Sequence, residues 1–113
     1  MTCDPWGESI VLRPHGDLIE GEACDDLERA LGELLRQGRI VIVSLAEVGL
    51  ISAHALGLLA QGRTIAERSG SRLTLCRPRA NHRWVLEMTA LEPALGLFES
   101  EAAAYASLTG AAA

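Results

Sequence analysis

Aromatic side chains are nearly absent from this chain. Trp6, Trp84, Phe98 and Tyr105 are the only four among 113 residues. Any core must therefore be built from Leu, Ile, Val and Ala, which 49 % apolar composition allows for one domain of this length. Cysteine is also scarce. Cys3, Cys24 and Cys76 make an odd number with no CxxC pair, which excludes a disulfide framework and a zinc pattern and fits a reducing cytoplasm. Positive charge is short: the net charge is −5, and with no lysine every basic side chain other than histidine is arginine. That balance argues against non-specific binding to nucleic acid or to an anionic membrane. No stretch reaches the roughly 18 apolar residues a membrane span needs, and MTCDPWGE lacks the basic and apolar regions of a secretory signal. Direct membrane insertion is not expected.

The chemical motifs are missing as well. There is no GxxxxGK[ST], no GxGxxG and no HExxH, so a nucleotide-binding module is the least favoured class. His15, His54 and His82 lack ligand spacing, so no metal is expected, and a lone histidine is more simply a surface or turn residue. Asp25-Asp26 reads as a solvated helix face. Cys24 and Cys76 read as small buried hydrophobes. The chain is not expected to be an enzyme or to carry a cofactor.

The residues that remain alternate between strand and helix patterns. Ser9–His15 is a β-branched run closed by Pro14 and Gly16, read as an edge strand because proline cannot donate to a ladder. Residues 1–8 form an N-terminal segment before the domain, which spans 9–108; 109–113 form a frayed tail. Glu22–Gln37 is the clearest helix: Leu27, Ala30, Leu31, Leu34 and Leu35 make one apolar stripe, acidic residues suit its start, and Gly38 stops it. Ile40–Val43, within RIVIVSLA at 39–46, is apolar without alternation, the mark of a central strand covered on both faces. Residues 47–53 read as a loop and His54–Arg68 as a second helix, with Ala55, Leu58, Leu59, Ile65 and Ala66 inward. Arg72–Arg77 is a strand, Ala80–Thr89 a short helix and Leu95–Phe98 a brief last strand. Ser100 caps a final helix, Glu101–Leu108. This order predicts helices packed on a largely parallel sheet.

Two stretches stand out as candidate sites. In LISAHALGLL, residues 50–59, a polar patch interrupts two apolar runs where a strand gives way to a helix. Ser52 can cap that helix with its hydroxyl, and the carboxyl end of a parallel strand is where α/β proteins tend to place their sites. Further on, Arg77, Arg79, His82, Arg83 and Trp84 form a basic cluster. It reads first as a solvated helix start with Trp84 in the core, and second as a patch that meets an acidic partner.

Several pieces, in order, resemble the STAS domain family of the anti-sigma-factor-antagonist type. They are strand 1 with Gly16-Asp17-Leu18, an amphipathic helix, the strand RIVIVSL, the helix start Ala55-Leu56-Gly57-Leu58-Leu59, and a basic Leu-rich strand ending in Pro. VLEMTAL (85–91) and the Ala-rich FESEAAAYASL (98–108) complete the set. The resemblance covers about residues 9–108. It implies an α/β single domain: a small mixed, mostly parallel sheet of four to five strands, about four interspersed helices, and helices on one side. It also implies a protein-binding role. Many members bind a kinase-like anti-sigma factor, which then ends binding by phosphorylating a serine at the second helix start.

This chain departs from that pattern at the switch itself. Anchored on Leu56-Gly57-Leu58-Leu59, the resemblance puts Ser52 at the usual Asp, Ala53 at the phosphorylated Ser, His54 at the next Ser/Thr and Ala55 at the Gly. Ile19 and Ser44 stand where the family has further aspartates. Ser52 becomes the acceptor only through a one-residue slip, which would rotate the helix by about 100° and turn its stripe out of the core. The implied reading is a partner-binding surface at Ser52, Ala53, His54, Ala55 and Leu56, without the phosphoserine switch and with His54 as a source of pH sensitivity. The other reading is a STAS subunit docking on the ATPase of a lipid-transport ABC complex. A homodimer stays open.

Overall fold

A computed structural model describes residues 1–88 and 96–109. The elements run β1 (Thr2–Trp6), β2 (Ser9–Arg13), β3 (Gly16–Leu18), α1 (Glu22–Arg36), β4 (Ile40–Ser44), β5 (Val48–Ile51), α2 (Ala53–Ser69), β6 (Arg72–Cys76), α3 (Ala80–Met88), β7 (Leu97–Phe98) and α4 (Glu101–Thr109). The main sheet has the order β1-β2-β4-β6-β7, and β3 pairs with β5 in a separate small sheet. Only β1 runs antiparallel to its neighbour; the other described pairings are parallel. The α/β class and the mixed, mostly parallel sheet agree with the expectation from the alternating pattern.

The unbroken apolar run of β4 has the expected cause. Val41, Ile42 and Val43 are all fully buried. With side chains alternating along a strand, Val41 and Val43 enter the larger core with Leu27, Leu31 and Leu35 of α1 and Ala55 and Leu59 of α2. Ile42 faces the opposite way and joins Val11, Cys76 and Ala104 of α4. The helices therefore do not lie on one side only, as the resemblance implied. The poly-alanine character of α4 lets it sit close on the second face. Its N-terminus is capped as expected, with the Ala103 N–H donating to Ser100 Oγ at 3.0 Å.

Strand Ser9–Arg13 is not an edge strand. It lies between β1 and β4, because residues 2–6 fold back on it as an antiparallel edge carrying Pro5. Gly7, at φ 60°, opens the two-residue hairpin turn. Two long-range ties hold this hairpin to α4. The rings of Trp6 and Tyr105 stack with centroids 5.5 Å apart. Arg13 donates to Glu101 at 2.8 and 3.0 Å and to Asp4 at 2.5 Å. The N-terminal segment had no periodicity to announce it, since its side chains are mostly exposed.

Residues 47–53 are not all loop: Val48–Ile51 is β5. With four residues, two of them buried and one a glycine, it is too short to show a period. The last strand covers Leu97–Phe98; Leu95, Thr89 and the end of VLEMTAL fall outside the described residues, as does the tail from residue 110. Among the described residues no helix is long and apolar enough to cross a membrane.

Cys24 and Cys76 are buried and Cys3 is exposed. Burial pushes both buried thiols up, Cys76 from 9.0 to about 11, with a hydrogen bond to Ser44 opposing the shift. A maleimide at pH near 8 should therefore label Cys3 alone in the native protein and all three thiols after unfolding in urea, read by mass spectrometry. The folded chain keeps the Cys76 proton after the unfolded chain has lost it. Stability from this group is complete below pH 9 and lost as pH rises towards about 11. Urea midpoints across that window should fall less steeply in Cys76→Ala.

Candidate functional site

The region around α2 is built from β5 outward. Glycine at position 49 is the centre of the arrangement. Its carbonyl accepts from Asn81 Nδ2 at 3.1 Å and from His82 Nε2 at 2.7 Å. The tautomer of His82 follows from its other nitrogen: the Arg79 N–H donates to Nδ1 at 3.0 Å, so Nδ1 carries the lone pair and Nε2 the proton. On the other side, the carboxylate of Asp17 accepts from the Leu50 N–H at 2.8 Å. A Cβ at residue 49 would collide with that carboxylate. The neighbouring carbonyl of Ala46 takes two donations from the Arg79 guanidinium, at 2.8 and 3.2 Å. The loop and strand before α2 are thus held by β3 on one side and by the start of α3 on the other.

From β5 the chain turns directly into α2. The Ser52 N–H donates to Leu18 O at 2.9 Å, which ties the turn to the end of β3. Ser52 is the N-cap, and its Oγ accepts from the Ala55 N–H at 3.1 Å. No acidic residue lies in the first turn. Ala53 and His54 are exposed and Ser52 is half-buried. Ala55 and Leu56, at 0 % and 3 % exposure, enter the core instead. Of the five residues the sequence placed here, only Ala53 and His54 fully face solvent, and Ala55 and Leu56 shape the surface from beneath.

The two further positions where the resemblance expected aspartate behave differently. Ile19, just past β3, is 49 % exposed, an apolar side chain on the rim of the site. Ser44 is buried at the end of β4 and accepts a long hydrogen bond, 3.5 Å, from the Ala46 N–H. Asp17, which reading by spacing treated only as part of a turn, proves to be the acid that grips β5.

The basic cluster divides. Arg79 and His82 serve the β5 scaffold, and Arg83 pairs with Glu99. Arg77 is exposed and takes the left-handed φ of 54°. Trp84 is not in the core, as the first reading expected: it is 63 % exposed, while His82 is fully buried. A nine-residue helix with one charged-looking turn gives too little periodicity to say which side faces inward, and His82 is drawn in by the two backbone groups it satisfies. Among the described residues no cluster of three or more His, Cys, Asp or Glu could hold a metal ion.

Comparison with known proteins adds the following. The family profile of the STAS domain matches residues 7–104. No curated protein matches the chain in sequence. In structure the chain is similar to a candidate anti-sigma factor antagonist from Thermotoga maritima, with TM-score 0.86 and 19 % identity over 96 % of this chain and 93 % of that one. It is also similar to the Bacillus cell fate determinant SpoIIAA in its phosphorylated form, with TM-score 0.71 and 20 % identity over 92 % and 95 % of the two chains. A sulfate transporter family protein from Wolinella succinogenes gives TM-score 0.65 and 22 % identity over 90 % and 88 %. At these identities the likeness is one of fold.

The hub at residue 49 makes a direct prediction. Asp17→Ala and Gly49→Ala each remove the Asp17–Leu50 hydrogen bond, the second by displacing the carboxylate. Each should destabilise the protein by about 1–2 kcal/mol in urea unfolding. Because both abolish the same bond, the double variant should lose less than the sum of the two.

Proposed function

Because the chain belongs to the STAS domain family, we propose that it is a protein–protein interaction module that acts as an anti-sigma-factor antagonist, binding a kinase-like anti-sigma factor in the cytoplasm without phosphoserine control. Its working surface is the start of α2, with Ala53 and His54 outermost and Ser52 beside them. One observation carries this reading. The methyl group of Ala53 occupies the exposed first turn of α2, while the neighbouring hydroxyl of Ser52 is committed to capping the Ala55 N–H. A surface of this kind can bind, but it holds no hydroxyl at residue 53 to receive phosphate. Modification of Ser52 would require its oxygen to leave the cap, at a cost of about 1 kcal/mol in helix stability.

The likeness to a sulfate transporter family protein favours a second reading, in which the domain docks on a transport complex, such as the ATPase of a lipid-transport ABC system. Affinity purification from the native host separates the two. A kinase-like anti-sigma factor among the captured proteins supports the first reading; an ABC ATPase replaces it with the second.

Charge at residue 53 supplies the functional prediction. Ala53→Glu should weaken partner binding by about tenfold or more, as a charge buried in an interface without a counterion does. The same carboxylate lies at the positive end of α2, so it should leave the fold equally or slightly more stable. Calorimetric binding and thermal melting would then move in opposite directions, which unfolding cannot mimic. Titrating wild-type binding between about pH 5.5 and 8 should reveal a dependence that His54→Gln removes; a flat wild-type profile would exclude His54 from the contact.

A further inference from the structure

The outer side of α3 carries two large apolar side chains that the fold leaves uncovered. Trp84 is 63 % exposed and Met88 68 %. They are one helical turn apart and so lie on one stripe. The turn of the helix places that stripe beside Asn81, whose amide reaches the Gly49 carbonyl of β5. The next residue of β5, Leu50, is 63 % exposed. Three of the largest uncovered apolar side chains among the described residues thus belong to two elements bonded to each other, directly before the start of α2. Single exposed apolar residues are ordinary on a protein surface; several on two bonded elements point to a binding surface.

The charge around the stripe identifies what fits it. Arg77, Arg79 and Arg83 stand at the N-terminal end of α3, where Glu87 opposes them on the helix and Glu99 pairs with Arg83. This is a local positive excess on a chain of net charge −5. Arg79 is already oriented by Ala46 O, so little of its side-chain freedom is lost when an anion approaches. A second copy of the chain would bring this guanidinium cluster against itself across a two-fold axis, which disfavours self-pairing. A membrane surface would have to accept the negative remainder of the molecule.

We propose that the Trp84–Met88–Leu50 surface docks an amphipathic helix of a partner protein, with the partner's apolar stripe over Trp84 and Met88 and its flanking carboxylates over Arg77 and Arg79 at the entry to α3. The inference rests on the interaction-module reading above and extends the surface from α2 across β5 to α3. Trp and Arg are the side chains that most often carry binding energy at such surfaces.

The test uses a display library of amphipathic helical peptides with one shared apolar stripe, flanked by Glu, Gln or Lys, selected against the full chain. Glu-flanked peptides should be enriched, and should bind Trp84→Ser/Met88→Gln about tenfold or more weakly than wild type. Both substituted side chains are exposed, so circular dichroism and the melting temperature should be unchanged. The readout is a peptide and not the anti-sigma factor, so failure here is distinct from failure of the α2 reading. Enrichment without charge preference, binding indifferent to Trp84 and Met88, or no enrichment overturns the proposal. So does a dimer in sedimentation equilibrium, or binding to phosphatidylglycerol vesicles, that the double variant abolishes.

Discussion

The arrangement depends on how one short strand is held. β5 has only four residues and pairs with a three-residue partner, so its ladder alone is too small to be stable. The backbone groups of 46–50 are instead gripped by side chains from distant segments: Asp17 on the Leu50 N–H, His82 and Asn81 on the Gly49 carbonyl, and Arg79 on the Ala46 carbonyl. Glycine at 49 leaves the space that the Asp17 carboxylate occupies, where a Cβ would be. The start of α2 inherits its position from this clamp through Ser52.

The clamp also links the two exposed surfaces. Ala53 and His54 follow β5 in the chain, whereas Trp84 and Met88 are attached to it through the start of α3. They are separated in sequence by about one supersecondary unit but share a rigid support. A site borne on elements fixed in this way loses little freedom on binding. Buried His82 has both ring nitrogens committed to backbone groups of this support.

Much of the framework was legible because it follows long periods. The leucine stripe of α1 and the two-faced run of β4 each occupy enough residues for burial to show as a pattern, and the caps at Ser52 and Ser100 follow from the local competition between hydroxyl and backbone. What escaped was short or exposed. β1 buries almost nothing, β3 and β5 are shorter than one readable period, and the orientation of α3 depends on a polar residue turned inward. The first reading of the basic cluster places Trp84 in the core, but hydrogen bonds to Gly49 and Arg79 turn His82 inward in its place.

The amino-acid sequence by itself determined the class, the order of the main elements and the absence of a hydroxyl at residue 53. These are properties of residue identity and of patterns within one element, which need no knowledge of distant neighbours. Only the tertiary structure decided that β2 is interior, that α4 closes the second face, that Asp17 and His82 grip β5 from opposite sides, and that Ala55 and Leu56 lie beneath the surface they help to form. Each of those outcomes turns on pairings between segments far apart in the chain. The energy of such a pairing belongs to neither segment alone.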